Sequence, residues 1–261
     1  MKMLALHVAA ISVLLTGAAS AADLRRPAPV KSPAPVPVAV YNWTGCYVGA
    51  GGGYGTVTQD TQTFTDPGGA PFSGNVSQGG RGWFGTVQVG CDYQIGSNIV
   101  IGAFGDYDFG NISGDIIPPV IVIVGEERLR WSWAAGGRIG WVVVPQLLAY
   151  VSGGYTQAHF NRVNFNSLLP PNAPRDEHLA ANTYSGWFIG TGYEYALGFL
   201  PGLYWKTEYR FADYSTDRLS ITTTSTGAPF GFALETHKYV HTVRSELVWR
   251  FNFGGPVVAR Y

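Results

Sequence analysis

The amino-acid sequence predicts an all-β fold, an eight-stranded antiparallel up-and-down transmembrane β-barrel. Eight segments alternate, residue by residue, between apolar or aromatic side chains and glycine, polar or charged ones. Twelve charged residues in these segments lie on one of the two alternating faces, opposite to most of the large apolar residues. The connections between segments alternate between long and short. Together these patterns indicate strands with one apolar and one charged face, joined as in an outer-membrane barrel.

The eight predicted strands cover residues 43–54, 83–94, 98–110, 128–142, 147–160, 184–195, 203–214 and 239–253. The seventh illustrates the pattern, because Trp205 and Tyr209 alternate with Lys206, Glu208 and Arg210. Long connections at 55–82, 111–127, 161–183 and 215–238 alternate with short ones at 95–97, 143–146 and 196–202. We expect the short turns and both chain ends to face the periplasm, and the long loops to face the cell exterior.

The charged faces carry twelve residues: Asp92, Asp106, Asp108, Arg130, Arg138, Glu194, Lys206, Glu208, Arg210, Arg244, Glu246 and Arg250. A water-soluble barrel would show the same pattern with its faces exchanged. Three features favour lipid outside: glycines on the charged parity, a chain with only 13% charged residues, and aromatic residues near strand ends, namely Trp43, Trp83, Trp141 and Tyr195. The twelve charges are therefore predicted to face the lumen.

Eight strands enclose an interior that side chains can just fill. Six acidic and six basic residues in that space predict a hydrogen-bonded plug, with no catalytic residue among them. The alternative is a constricted, weakly selective pore lined by the same charges.

The composition gives little support to other classes of function. Seventeen basic residues balance seventeen acidic ones without forming a basic stripe, which argues against nucleic-acid binding. Metal-ligand spacings, phosphate-binding loops and nucleotide motifs are missing from the sequence. We predict no cofactor, no metal and no enzymatic activity.

The N-terminal residues 1–21 are predicted to be a secretory signal peptide. Lys2 gives a basic start, residues 4–15 are apolar, and Ala19 and Ala21 frame a cleavage site after Ala21. Residues 22–42 are rich in proline and predict an extended periplasmic tether. The tether is either a passive spacer or a segment that contacts peptidoglycan. The barrel then spans residues 43–261.

Export places the two cysteines in an oxidising compartment. If the first hairpin pairs Tyr54 with Trp83, Cys46 lies opposite Cys91 on the outward parity. One hypothesis is a disulfide between them, and the alternative is two lipid-facing thiols.

Several short motifs occur in one order along the mature chain: WTGCYVG at 43–49, GRIG at 137–140, YVSGG at 150–154, GYEY at 192–195, KTEYR at 206–210 and VWRFN at 248–252. With these motifs the chain resembles the small outer-membrane β-barrel proteins of alphaproteobacteria, porin-like surface antigens related to the OmpA transmembrane barrel. The resemblance implies an abundant, exposed outer-membrane barrel with a structural role. It also implies contact with outer-membrane lipid and lipopolysaccharide, and with the barrel-assembly machinery through Phe253 or Tyr261. The cysteines at 46 and 91 depart from the family pattern.

The protein is predicted to have a mainly structural role, in which it contributes to the integrity of the cell envelope. The alternatives are a low-conductance pore for small solutes and surface recognition through the long loops. The apolar run 116–124 either packs on itself or forms a contact surface. A fourth class, a hydrolase of outer-leaflet lipids, would need a histidine and a hydroxyl in hydrogen-bond reach, and the candidates are His159, His178, His237 and His241.

Overall fold

The alternating segments form ten antiparallel β-strands. The computed structural model describes residues 41–119 and 121–251. The strands are β1 (Gly45–Thr65), β2 (Val76–Ile95), β3 (Ile99–Ile116), β4 (Ile123–Val144), β5 (Leu147–Phe160), β6 (Val163–Ser167), β7 (Pro174–Leu179), β8 (Asn182–Ala196), β9 (Leu203–Thr223) and β10 (Pro229–Phe251). The signal peptide, all but the last two residues of the predicted tether, and Phe253 and Tyr261 lie outside the described residues.

The sheet closes on itself, because β10 pairs with both β9 and β1. Between these ends the order is β1, β2, β3, β4, β5, β8 and β9, each strand antiparallel to the next. Short strands β6 and β7 pair with β4 and β9, so they continue the positions of β5 and β8. The ten strands therefore occupy eight positions around the barrel, and the predicted fold class is confirmed.

Most strands are longer than predicted, because they continue into the predicted long loops. Residues 66–75 are all that connects β1 with β2, and residues 224–228 connect β9 with β10. We call the barrel end that carries these connections the loop end, and the opposite end, with the turns 96–98, 145–146 and 197–202, the turn end. Towards the loop end the outward residues are polar and no longer apolar, so the alternation is harder to recognise there in the sequence.

An apolar belt surrounds the middle and the turn end of the barrel. Its side chains face outward and include Val89, Ile139, Trp141, Trp187 and Leu247, each between 51% and 59% exposed. Arg138 and Glu208, on the other face, are 6% and 1% exposed. Ionised groups cannot face hydrocarbon cheaply, so this polarity suits a barrel whose outer surface is covered by lipid.

The two faces exchange their character towards the loop end. There the interior holds a cluster of fully buried apolar side chains: Ile116, Ile123, Val163, Phe165, Leu179, Ile221 and Leu234. The outward side chains of β1 at this level are polar, namely Thr56, Thr58, Asp60 and Gln62. The loop-end extension thus resembles a water-soluble β-structure mounted on the apolar belt. It buries Ile116 and Ile123 of the apolar run 116–124, whereas Ile117 and Val122 are exposed.

Register shifts mark the transition on two strands. In β4 the ladders to both neighbours slip between Leu129 and Trp131. Between β9 and β10 the slip lies between Thr236 and Lys238. One extra residue in a strand sends every following side chain to the other face.

Trp43 is a correction to the predicted outer girdle. It is fully buried at the turn end, where its ring lies 5.0 Å from that of Tyr204. The reason is parity, since odd-numbered residues of β1 such as Tyr47 face the interior. Trp83 and Tyr195, by contrast, face outward. Among the described residues no helix is long and apolar enough to cross a bilayer.

Cys46 and Cys91 are register partners in the β1–β2 hairpin and form a disulfide near the turn end, with their Cα atoms 3.9 Å apart. Both side chains lie on the outward parity of their strands.

We expect the bridge to be present in protein isolated from the membrane without reductant, because export exposes both thiols to oxidising conditions. Peptide mapping by mass spectrometry should show one linked peptide pair that separates after reduction. Alkylation of both cysteines in unreduced, folded protein would contradict this expectation.

Candidate functional site

The barrel interior contains a layer of four charges nearest the turn end. Arg138 donates hydrogen bonds to Asp92 (2.9 Å from Nε) and to Glu194 (2.5 Å). Arg250 donates to the same two carboxylates, at 2.6 and 2.5 Å. Each arginine therefore bridges both acids in a closed, neutral ring of four side chains. Gly102 leaves room for the ring, because a Cβ at that position would lie 1.9 Å from Oδ1 of Asp92.

Aromatic rings enclose this four-charge ring. The guanidinium carbons of Arg138 and Arg250 both lie 4.8 Å from the centre of the Tyr47 ring. Trp43 and Tyr204 lie 5.0 and 5.2 Å from the Arg250 guanidinium carbon. Cation–π contacts of this kind gain strength where water is excluded. Aromatic side chains and ion pairs together close the turn end of the lumen.

The second layer is centred on Lys206. Its ammonium group donates to Gln88 (2.7 Å) and Glu246 (3.3 Å) and lies 3.6 Å from Glu208. The Tyr150 hydroxyl also donates to Glu208, at 2.9 Å. A single cation therefore lies between two carboxylates, and among the described residues Nε2 of Gln88 and Oε2 of Glu246 have no hydrogen-bond partner.

The third layer contains two arginine–aspartate pairs. Arg210 binds Asp106 through two nitrogen atoms (3.0 and 2.8 Å), and its Nε donates to Glu208 at 2.8 Å. Arg244 binds Asp108 in the same forked manner, at 3.2 and 2.9 Å. Forked pairs of this kind fix the orientation of both groups.

A fourth layer was not predicted from the sequence. Lys238 donates to both oxygens of Glu127 (3.0 and 2.8 Å) and to Gln59. Phe160 and Tyr184 lie 4.6 and 5.0 Å from the ammonium nitrogen. Glu127 and Lys238 are the last residues of the predicted loops 111–127 and 215–238, one residue before the predicted strands begin. Their opposite charges beside short apolar stretches are the signal that could have identified them.

Arg130 is a correction to the predicted set of lumen residues. It lies at the register shift of β4, where its side chain is exposed on the outer face. Beyond the shift the odd-numbered residues Glu127 and Leu129 face inward instead. The other eleven predicted lumen residues are buried in the barrel interior.

Two small cavities lie beside the layers. One cavity beside Asp106, Asp108 and Arg244 measures about 20 Å³, and another beside Gln59 and Glu127 measures about 10 Å³. A single water molecule needs roughly 10–15 Å³ measured in this way. The apolar cluster of the loop-end extension lies above the fourth layer and leaves the lumen closed at that end too.

The four candidate histidines lie apart from the lumen charges. His159 and His178 contact the hydroxyls of Thr183 (2.9 Å) and Thr224 (3.0 Å). Burial, and then the Arg162 guanidinium, lower the pKa of His178.

The other two histidines connect β9 with β10. His241 contacts the Tyr209 hydroxyl at 2.8 Å, and the His237 ring contacts Asp213 at 2.7 Å and Thr216 at 3.1 Å. His237 lies at the β9–β10 register shift, so its two contacts replace backbone pairing that the shift interrupts.

Comparison with known proteins gives one family. The model of the outer membrane protein β-barrel domain matches residues 9–237. The 31 kDa outer-membrane immunogenic proteins of Brucella melitensis and Brucella suis are each 27% identical over 248 residues, which cover 94% of this chain and 98% of the relative.

Two solved structures are also similar. Outer membrane protein OprG from Pseudomonas aeruginosa has a TM-score of 0.44 and 11% identity, covering 82% of this chain and all of that one. Neisserial surface protein A has a TM-score of 0.39 and 14% identity, covering 80% of this chain and 98% of that one. The fold described here rests on strand pairing and not on these likenesses.

Removing one charge from the four-charge ring should destabilise the barrel strongly. The substitution Glu194→Gln leaves Arg138 and Arg250 buried with one carboxylate, and breaking a buried pair in this way costs about 3–5 kcal/mol. Urea unfolding of barrel folded into lipid vesicles, followed by tryptophan fluorescence, measures the loss.

The matched control is Glu126→Gln, which removes the same charge from an exposed pair with Arg128. It should leave the unfolding midpoint nearly unchanged, because solvent screens exposed pairs. Equal effects of the two substitutions would contradict the structural role assigned to the ring.

Proposed function

The chain belongs to the outer membrane protein β-barrel domain family, and on that premise we propose that it is a closed, non-catalytic barrel with a mainly structural role in the envelope. It lies in the cell outer membrane. Its contribution is mechanical and architectural: a rigid cylinder in the lipid and a folded extension on the outside.

The filled lumen is the observation that carries this proposal. Four layers of ion pairs span the interior, and each of the two cavities beside them has room for about one water molecule. A solute could pass only if successive buried pairs separated, and each separation would leave charges without partners at a cost of several kcal/mol. The arrangement favours a plug over the weakly selective pore that the sequence also allowed.

Surface recognition is the second candidate function. The supporting observation is the loop-end extension, which has its own apolar core and a polar outer surface. At its rim, the hydrogen-bonded Arg175 guanidinium holds the pKa of the Glu177 carboxyl below its usual range. The two Brucella relatives are described as immunogenic, and we propose that the extension of this chain is similarly presented outside the cell.

The remaining partners follow from this location. We propose export through the signal peptide cleaved after Ala21, insertion by the barrel-assembly machinery, and contact with lipopolysaccharide. Binding of the tether 22–42 to peptidoglycan stays a prediction from its composition.

The purified, folded barrel should give no steady conductance steps in planar lipid bilayers, because the ion-pair layers close the lumen. Heat-modifiable gel mobility of the same sample shows that the protein is folded, and an open porin added to the same bilayer checks the recording. Reproducible conductance steps that scale with the amount of folded protein would contradict the closed lumen and support the weakly selective pore.

The orientation in the membrane can be tested with two exposed glycines. Gly74→Cys lies at the loop end and Gly198→Cys at the turn end, and a Cβ at either position meets no atom within 4 Å. A membrane-impermeant thiol reagent applied to intact cells should label the first variant and spare the second. Cys46 and Cys91 do not interfere while they are bonded to each other. The reverse labelling pattern would show that the turn end, and not the loop end, faces the cell exterior.

A further inference from the structure

The outer face of β1–β4 has two grooves, one above the other, where the apolar belt meets the loop-end extension. The lower groove, of about 570 Å³, is lined by aromatic side chains and by Arg130; the aromatic residues include Trp83, Tyr107, Phe109 and Trp131. The upper groove, of about 600 Å³, is polar and is lined by Thr56, Thr58, Arg81, Ser113, Asp115 and Glu126. Together they form a vertical surface that is apolar below and polar above.

Arg81 and Arg130 lie near the junction of the two grooves. Both are exposed on the outward faces of their strands. Within residues 41–119 and 121–251 neither takes part in a salt bridge or donates a side-chain hydrogen bond, whereas the exposed Arg128 and Arg218 pair with Glu126 and Glu235. Two guanidinium groups without anions at the edge of an apolar surface indicate a place for an external anion.

Register places the two arginines on opposite sides of β3, with Arg130 nearer the turn end, because the residue of β4 that pairs with Ser113 is Arg128. Arg81 of β2 is opposite Ser113 of β3, and the register shift of β4 beside Arg130 turns that side chain outward. Adjacent strands are about 4.8 Å apart, so β2 and β4 are separated by about two such spacings. Long arginine side chains can reach a headgroup lying over β3 from both sides.

We propose that these grooves bind a phosphorylated lipid of the outer leaflet. Its acyl chains lie over the aromatic lower groove, and its phosphate lies between Arg81 and Arg130. The carboxylates of Asp115 and Glu126 repel phosphate from the upper end and so confine the headgroup to the junction. A lipid is favoured over a soluble anion because the lower groove faces the membrane.

This inference rests on the outer-membrane location and does not depend on a closed lumen. A conducting barrel would leave it intact, and loss of the lipid site would leave the plug intact.

The test is native mass spectrometry of the full mature chain in detergent micelles, titrated with bisphosphorylated lipid A. The double variant Arg81→Gln/Arg130→Gln should bind at least about tenfold more weakly, since hydrogen bonds to charged groups of this kind are among the stronger ones. The matched control Arg162→Gln/Arg218→Gln removes two exposed loop-end charges outside the grooves and should bind within about twofold of the wild type. Heat-modifiable gel mobility confirms that each variant is folded.

Two further arms identify the source of the anion. Lipid A from which both phosphates have been removed should bind as weakly as the double variant binds intact lipid A. Inorganic phosphate at the same concentration should not displace intact lipid A, because it lacks acyl chains for the lower groove. Equal binding by the wild type and the double variant, equal binding of the dephosphorylated lipid, or displacement by phosphate would each overturn the proposal.

Discussion

The exclusion of ionised groups from hydrocarbon is the constraint on which the structure depends. A strand that crosses lipid must present apolar side chains outward, and its alternate residues then point into a lumen that eight strands leave narrow. Charges placed there lose their water, so each must find partners among the others. Arg138 and Arg250 find these partners by sharing Asp92 and Glu194. Lys206 likewise lies between two carboxylates, those of Glu208 and Glu246.

The same strands operate in two solvents. Below the register shifts, lipid lies outside and ion pairs lie inside; above them, polar side chains lie outside and an apolar cluster lies inside. At a bulge one inserted residue reverses the faces of everything that follows, whereas β1 makes the same exchange without a shift, by a change of residue type on an unchanged parity. At β4 the exchange brings Glu127 into the lumen and turns Arg130 out towards the edge of the belt. The fourth ion-pair layer and the proposed lipid site therefore share one geometric origin.

These features connect stability with function. A lumen filled by four ion-pair layers and an apolar cap would make a rigid support, and we propose that the loop-end extension is the part presented to the exterior. The side-chain contacts of His237 with Asp213 and Thr216 bridge a shift in the β9–β10 ladder. We therefore assign this histidine to the reinforcement of the extension.

The sequence by itself determined the barrel, its strand order, the inward parity of eleven of the charges and the facing positions of Cys46 and Cys91. A period of two and the cost of charge in lipid are properties of the chain and its solvent, so they can be recognised before folding is known. Tertiary structure alone decided where that period slips. The slips at Arg130 and near His237 depend on the register of neighbouring strands, and pairing between distant segments leaves no local mark in the sequence. For the same reason Glu127 and Lys238, 111 residues apart, became partners only in the closed barrel.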